Sequence, residues 1–221
     1  MESSEVLKIA LTIALLVISL GIHEAAHGWV AFKCGDRTAK DLGRITLDPF
    51  AHIDPVMTIL LPIFMYMSMG VAFGGAKPVP VNFNNLRRGH RDMALVALAG
   101  PVSNLLLAIF FKALIMILCG GADPIWGPSS LGAIVLWNAV FLNLLLMVFN
   151  LIPVPPLDGS RVMTFLLPAG QLRRSYQNLE RFGLLIVFAL VLFPGSPIGS
   201  YLNSSMRFLD QLITPLVSWL A

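Results

Sequence analysis

Charge is what this sequence has least of. Only 12% of its 221 residues are Asp, Glu, Lys or Arg, against roughly 25% in a soluble domain. Together with 57% hydrophobic residues and a mean hydropathy of +0.80, that shortage excludes an ordinary soluble chain and predicts an integral membrane protein. Cysteine is nearly absent too. Cys34 and Cys119 lie far apart and form no C-x-x-C pair, and the sequence leaves a disulfide between them undecided. Internal repeats, low-complexity tracts and any stretch able to form a separate soluble domain are also lacking. Residues 1–221 therefore read as one domain with room for five or six membrane segments, its core over about 6–165 and its C-terminal helices over about 182–221. A net charge of +3 could suggest nucleic acid. In a membrane protein, Lys and Arg concentrated in cytoplasmic loops explain it better, so no nucleic-acid partner is expected. The apolar N-terminus shows no clear small-residue cleavage site and reads as retained.

Six apolar segments are present: 6–32, 56–73, 93–119, 131–152, 182–194 and 206–221. The first and third exceed the roughly 20 residues needed to span a bilayer, and the fourth just reaches that length. The second is marginal, with Pro62 near its middle, and the fifth is short unless 197–202 extends it. The last is interrupted by Arg207, Asp210 and Pro215 and reads as interfacial. Residues 36–48 carry Thr38, Ile45, Thr46 and Leu47 around Gly43, which predicts a short hairpin or a pair of extended strands. The expected fold class is an all-α polytopic membrane protein with a short β-like or re-entrant region after the first helix.

Against this apolar background, His23-Glu24-Ala25-Ala26-His27 stands inside the first segment, where Lys8 is the only earlier charge. Two imidazoles and a carboxylate in hydrocarbon cost several kcal/mol unless paired, hydrogen-bonded or metal-bound. On a helix, residues i and i+4 share a face, so His23 and His27 can grip one cation with Glu24 beside it. There Glu24 can take a proton from an attacking water and pass it to a leaving amine. A second constellation follows the fourth segment: Asn150-Leu151-Ile152-Pro153-Val154-Pro155-Pro156-Leu157-Asp158-Gly159. Its prolines cannot continue a regular helix, and irregular backbone at membrane depth is tolerated where it is buried in protein or lines a cavity. A catalytic zinc takes three protein ligands and one open position, which makes Asp158 the candidate third ligand. Asn150 can offer its amide to the oxyanion formed during amide hydrolysis. The plainer reading is a helix stop with Asp158 as a cap. It suits Leu-Asp-Gly alone but not its pairing with the histidine motif.

Together the two motifs resemble the site-2 protease family of intramembrane zinc metalloproteases. That family pairs H-E-x-x-H with N-x-x-P-x-x-P-L-D-G, matched here at His23, Glu24, His27, Asn150, Pro153, Pro156, Leu157, Asp158 and Gly159. Ala99-Gly100-Pro101-Val102-Ser103-Asn104 also looks like the family's signature on the helix between them. The resemblance implies Zn2+ and cleavage of a transmembrane protein or peptide substrate. It further implies a site set below the cytosolic face of a bacterial or archaeal cell membrane. Many relatives carry a PDZ or CBS module, and no stretch here suits one.

Both motifs sit near the C-terminal ends of their helices, so the first and fourth segments must run parallel and the third antiparallel. The second segment then re-enters, lies flat or crosses with a partner. Loop charge agrees, since 33–55, 74–92 and 153–181 hold twelve of the fifteen basic residues. Other polar residues read more plainly. His52 belongs to a surface turn, with a gate or a partner of the ligands as its other role. His90 is a solvated loop residue, Met65, Met67 and Met69 are packing, and Asn138 and Asn143 are interhelical glue. Asn104 either bonds across helices or faces the site. Three rival readings compete with this one: a catalytically silent relative acting as a membrane binding protein or chaperone, a metal transporter, and a prenyl-peptide zincin using Glu180. Glu24 and all three proposed ligands are intact, which argues against the first. The near absence of further ligand-type residues on the other helices argues against the second.

Overall fold

The computed structural model describes residues 3–60, 75–119, 131–193 and 196–220. Helix α1 runs Ser3–Lys33 and stops where Gly35, at φ 113°, turns the chain left-handed while Asp36 N–H donates to Ala31 O. A one-turn helix α2, Thr38–Asp41, follows. Then come α3, His90–Cys119, and α4, Leu131–Asn150. Beyond the prolines lie α5, Asp158–Leu166, α6, Gln171–Asn178, a 3-10 turn at Leu179–Phe182, α7, Gly183–Leu192, and α8, Ile198–Val217.

Four stretches among the described residues are long and apolar enough to cross a membrane: Ala10–Lys33, His90–Leu118, Leu131–Asn150 and Gln171–Leu192. Large apolar side chains such as Ile13, Phe110, Ile117 and Phe141 are exposed on them, as a surface bathed in lipid requires. The expected five or six crossings are not reached among the described residues. The fifth apolar segment gains its length from Gln171–Phe182 on its N-terminal side and not from 197–202, because the helix breaks after Leu192. The second lies mostly within 61–74, outside the described residues. Pro55–Leu60 before it forms a π-helical turn, and Thr58 Oγ1 donates to Gly75 O across the gap, so the chain stands at one place on both sides of it.

Helix α3 is the centre of the bundle, packing against α1, α4, α5 and α8. Its outer half joins α4 and α8 through Ala108, Ile115, Leu136, Val140, Leu144, Met206 and Ile213. Buried Lys112 on α3 bonds Asp210 of α8 at 2.6 Å and stands over the Trp137 ring of α4, tying three helices together.

The β-like expectation for 36–48 is overturned: no strand occurs among the described residues. Asp36 is the physical reason. Fully buried, it accepts hydrogen bonds from Thr38 N and Oγ1, Asn82 N and Asn85 Nδ2, which bends the chain into a helical turn where a strand would need it straight. His90 is no loop residue either. It opens α3, half-buried, with its ring 4.9 Å from Phe83. His52 does sit in a turn, but buried against α1, with its Nε2–H donating to Thr46 O.

Candidate active site

The irregular chain after α4 is held by close backbone approach. A Cβ on Gly159 would stand 2.2 Å from Leu151 O, and one on Gly183 would stand 2.5 Å from Pro155 O. Glycine at both positions lets α5 fold back on the end of α4 and lets α7 abut the proline loop. Tyr176 Oη donates to Pro153 O at 2.8 Å from outside. The fold-back carries Asp158 to the histidines of α1.

His23 Nε2, His27 Nε2 and Asp158 Oδ2 converge, with separations of 3.0, 3.2 and 3.3 Å. Each imidazole is fixed by its other nitrogen. His27 Nδ1–H donates to Val96 O at 2.7 Å, and His23 Nδ1–H to Asn104 Oδ1 at 2.5 Å. Both rings thus point an Nε2 lone pair inward, the tautomer a metal ligand needs. Asp158 Oδ2 is buried without a hydrogen-bond donor, an arrangement a cation would relieve. Donors around a tetrahedral zinc at about 2.0–2.1 Å stand roughly 3.3 Å apart, so this set fits Zn2+. Gly100 leaves the room: a Cβ there would lie 2.4 and 2.5 Å from the two Nε2 atoms.

The remaining expected site residues face the same cavity of about 340 Å³, lined by His23, Glu24, His27, Asn150, Asp158 and Arg161 among others. The Glu24 carboxylate accepts from Val79 N–H at 2.8 Å. Asn150 Nδ2 donates to Leu146 O at 3.0 Å, leaving its second N–H available. Asn104 is more than interhelical glue, and its fully buried amide is oriented by a chain across three helices. Asn104 Nδ2 donates to Asn143 Oδ1, and Asn143 Nδ2 donates to Ser19 Oγ. Asn138, read as glue, does donate to Thr12 Oγ1. Sequence reasoning missed Val79 and Arg161, and took Gly100 only as part of a signature stretch without its contact to the imidazoles. Gly100 beside Pro101 was the one visible signal, since a glycine on an apolar helix next to buried histidines marks a close approach.

Comparison with known proteins gives a consistent answer. The model of Peptidase family M50 matches residues 127–194. The candidate zinc metalloprotease YwhC of Bacillus subtilis is 39% identical, over 91% of this chain and 92% of its own. Rip2 of Mycobacterium tuberculosis, also a candidate zinc metalloprotease, is 35% identical over 91% of this chain and 73% of its own. The regulator of sigma-E protease RseP of Salmonella typhimurium is 33% identical over 58% of this chain and 31% of its own. No solved structure matches the chain.

Proposed function

The chain belongs to peptidase family M50, the site-2 proteases, and from that premise we propose that this zinc metalloprotease hydrolyses a peptide bond in or beside a transmembrane helix of another membrane protein. The convergence of His23, His27 and Asp158 at one point inside an apolar helical bundle carries the reading. Those three side chains would hold zinc, which supplies a Lewis acid that activates water and polarises the substrate carbonyl. Glu24 acts as general base and then general acid. Val79 N–H holds one of its oxygens, which keeps the carboxylate directed into the cavity and free to accept a proton. Asn150 turns its second amide N–H to the developing oxyanion. Asn104 and the Val96 carbonyl keep both imidazoles in the metal-binding tautomer.

The substrate must unwind locally, because a helix hides its carbonyls from a nucleophile. Residues 75–82 run without helix beside the catalytic cavity, whereas 36–48 offers no strand edge. A site facing the cytoplasm of the cell membrane is the reading that the basic loops support, since short loops rich in Lys and Arg resist translocation. Intact Glu24 and a complete donor set favour this over a silent binding protein.

Purified Glu24→Gln should bind about one zinc per chain and lose cleavage of a transmembrane substrate, whereas Asp158→Ala should lose most of its zinc. Near-normal turnover by Glu24→Gln would remove it as the base, and undiminished zinc in Asp158→Ala would remove Asp158 from the ligands.

A further inference from the structure

The catalytic cavity shares lining residues with two further cavities, one of mixed lining with most of its polar groups at His90, Arg161, Thr164 and Gln177, the other mainly apolar. One, about 320 Å³, shares Val81, Met93 and Arg161 with it and adds Phe83, His90 and Gln177. The other, about 220 Å³, shares Glu24, Asn150 and Pro156 and is walled by Leu20, Leu146, Phe149, Leu184 and Val187. The first arm opens among the N-terminal end of α3, α5 and α6, where the basic loops gather, and no carboxylate lines it. The second lies among the apolar faces of α1, α4 and α7. An extended chain threaded past His23, His27 and Asp158 would therefore rest a polar stretch in one arm and an apolar stretch in the other.

Arg161 stands where the polar arm meets the catalytic cavity, one helical turn after Asp158. Its guanidinium forks onto Glu180, with Nη1 to Oε2 at 3.3 Å and a short Nη2 to Oε1 contact. The side chains are 40% and 46% exposed, and a pair so wet is a weak staple. Such a fork is nevertheless shaped for any carboxylate, and a substrate carboxylate can exchange with Glu180 at little cost. The guanidinium of Arg173 donates to the Leu167 carbonyl.

Resting on the proteolytic reading above, we infer that Arg161 determines specificity. It selects substrates that carry Asp or Glu two or three residues from the cleaved bond on the cytosolic side, and Glu180 occupies its fork until such a substrate arrives. The spacing follows from one helical turn plus the arginine's reach, on the order of 10 Å, against about 3.3 Å per extended residue.

The test uses a transmembrane peptide whose cleaved bond is mapped by mass spectrometry, with Asp, Asn or Lys placed two or three residues away on the polar side. Wild type should prefer Asp over Lys by at least about tenfold in kcat/KM, expressed mainly in KM. Arg161→Gln should bring that ratio to within about twofold while zinc content stays at one per chain. Glu180→Gln should improve the Asp peptide and weaken the Lys peptide, because the guanidinium is then uncompensated. An Asp-to-Lys ratio in Arg161→Gln equal to that of wild type would overturn the inference. If Arg161→Gln loses zinc, Glu180→Gln decides, and an unaltered Asp preference there overturns it equally. Binding of the same peptides to the Glu24→Gln protein should follow the same order and lose it in Arg161→Gln/Glu24→Gln. Failure of wild type to cut any peptide would therefore strike the proteolytic reading, while the order of binding still judges Arg161.

Discussion

At the scale of single residues, the site depends on what surrounds its donors as much as on the donors. Gly100 is the sharpest case, because any side chain there enters the space between the two Nε2 atoms. Gly100→Ala should fold, since alanine suits a helix, yet bind far less zinc; elemental analysis of purified protein checks this. Zinc at one per chain would mean that α3 can back away from α1. Asn104→Ala removes the acceptor that fixes His23 and strands Asn143, so zinc affinity should fall about 10- to 100-fold in a chelator competition. Asn150→Ala should lower the rate on the order of a hundredfold with zinc retained, if its free N–H meets the oxyanion. A loss below threefold would leave Asn150 only its bond to Leu146.

At the scale of elements, the segment past Gly75 matters through the backbone it offers. Val79 N–H reaches Glu24, and three residues on Asn82 N–H reaches Asp36, so Asp36 anchors the stretch that touches Glu24. Burial would raise the Asp36 carboxyl, but donors from Thr38, Asn85 and Asn82 prevail and hold it below the usual carboxylate range. Because the folded value lies below the unfolded one, about 3.9, this stabilisation is fully present above that pH and is lost as pH falls through the folded value. Asp36→Asn should therefore lower the thermal midpoint in detergent at pH 7, with the gap to wild type closing below about pH 4. An equal gap at pH 7 and pH 3.5 would show that the anionic carboxylate is not what anchors the segment. Gly35 supports the same junction, where Arg87 N–H donates to Cys34 O.

At the scale of the whole molecule, α1 and α4 end together and α3 begins beside them, which gathers the loops at those ends on one side. Single cysteines at Arg37, Arg88 and Arg174, in a background without Cys34 and Cys119, should share one accessibility class. An impermeant maleimide on intact cells should miss all three and label a cysteine at Leu131, at the far end of α4. Labelling of position 88 but not 37 would contradict the contact between 34 and 87 that places both on one face. The Lys112–Asp210 bond works at the same scale. Removing Asp210 alone should lower the thermal midpoint more than replacing both partners by apolar residues, because it leaves a lysine charge buried.

The sequence by itself pointed to the membrane class, to a parallel course of the first and fourth segments, and to His23, Glu24, His27, Asn150 and Asp158 as the candidate site, and the structure brings those five side chains to one cavity. Those features follow from composition, from the i, i+4 geometry of one helix, and from a proline run that must stop another. The tertiary structure alone decided that Asp36 holds a helical turn at 36–41, since its donors at Asn82 and Asn85 lie more than forty residues away. It alone brought Val79 to Glu24, Gly100 to the two imidazoles and Arg161 to the mouth of the cavity. The first two are contacts between elements distant in sequence, made by a backbone group and by the lack of a side chain. Local patterning carries no trace of such contacts, because it records what a segment buries and not what it meets.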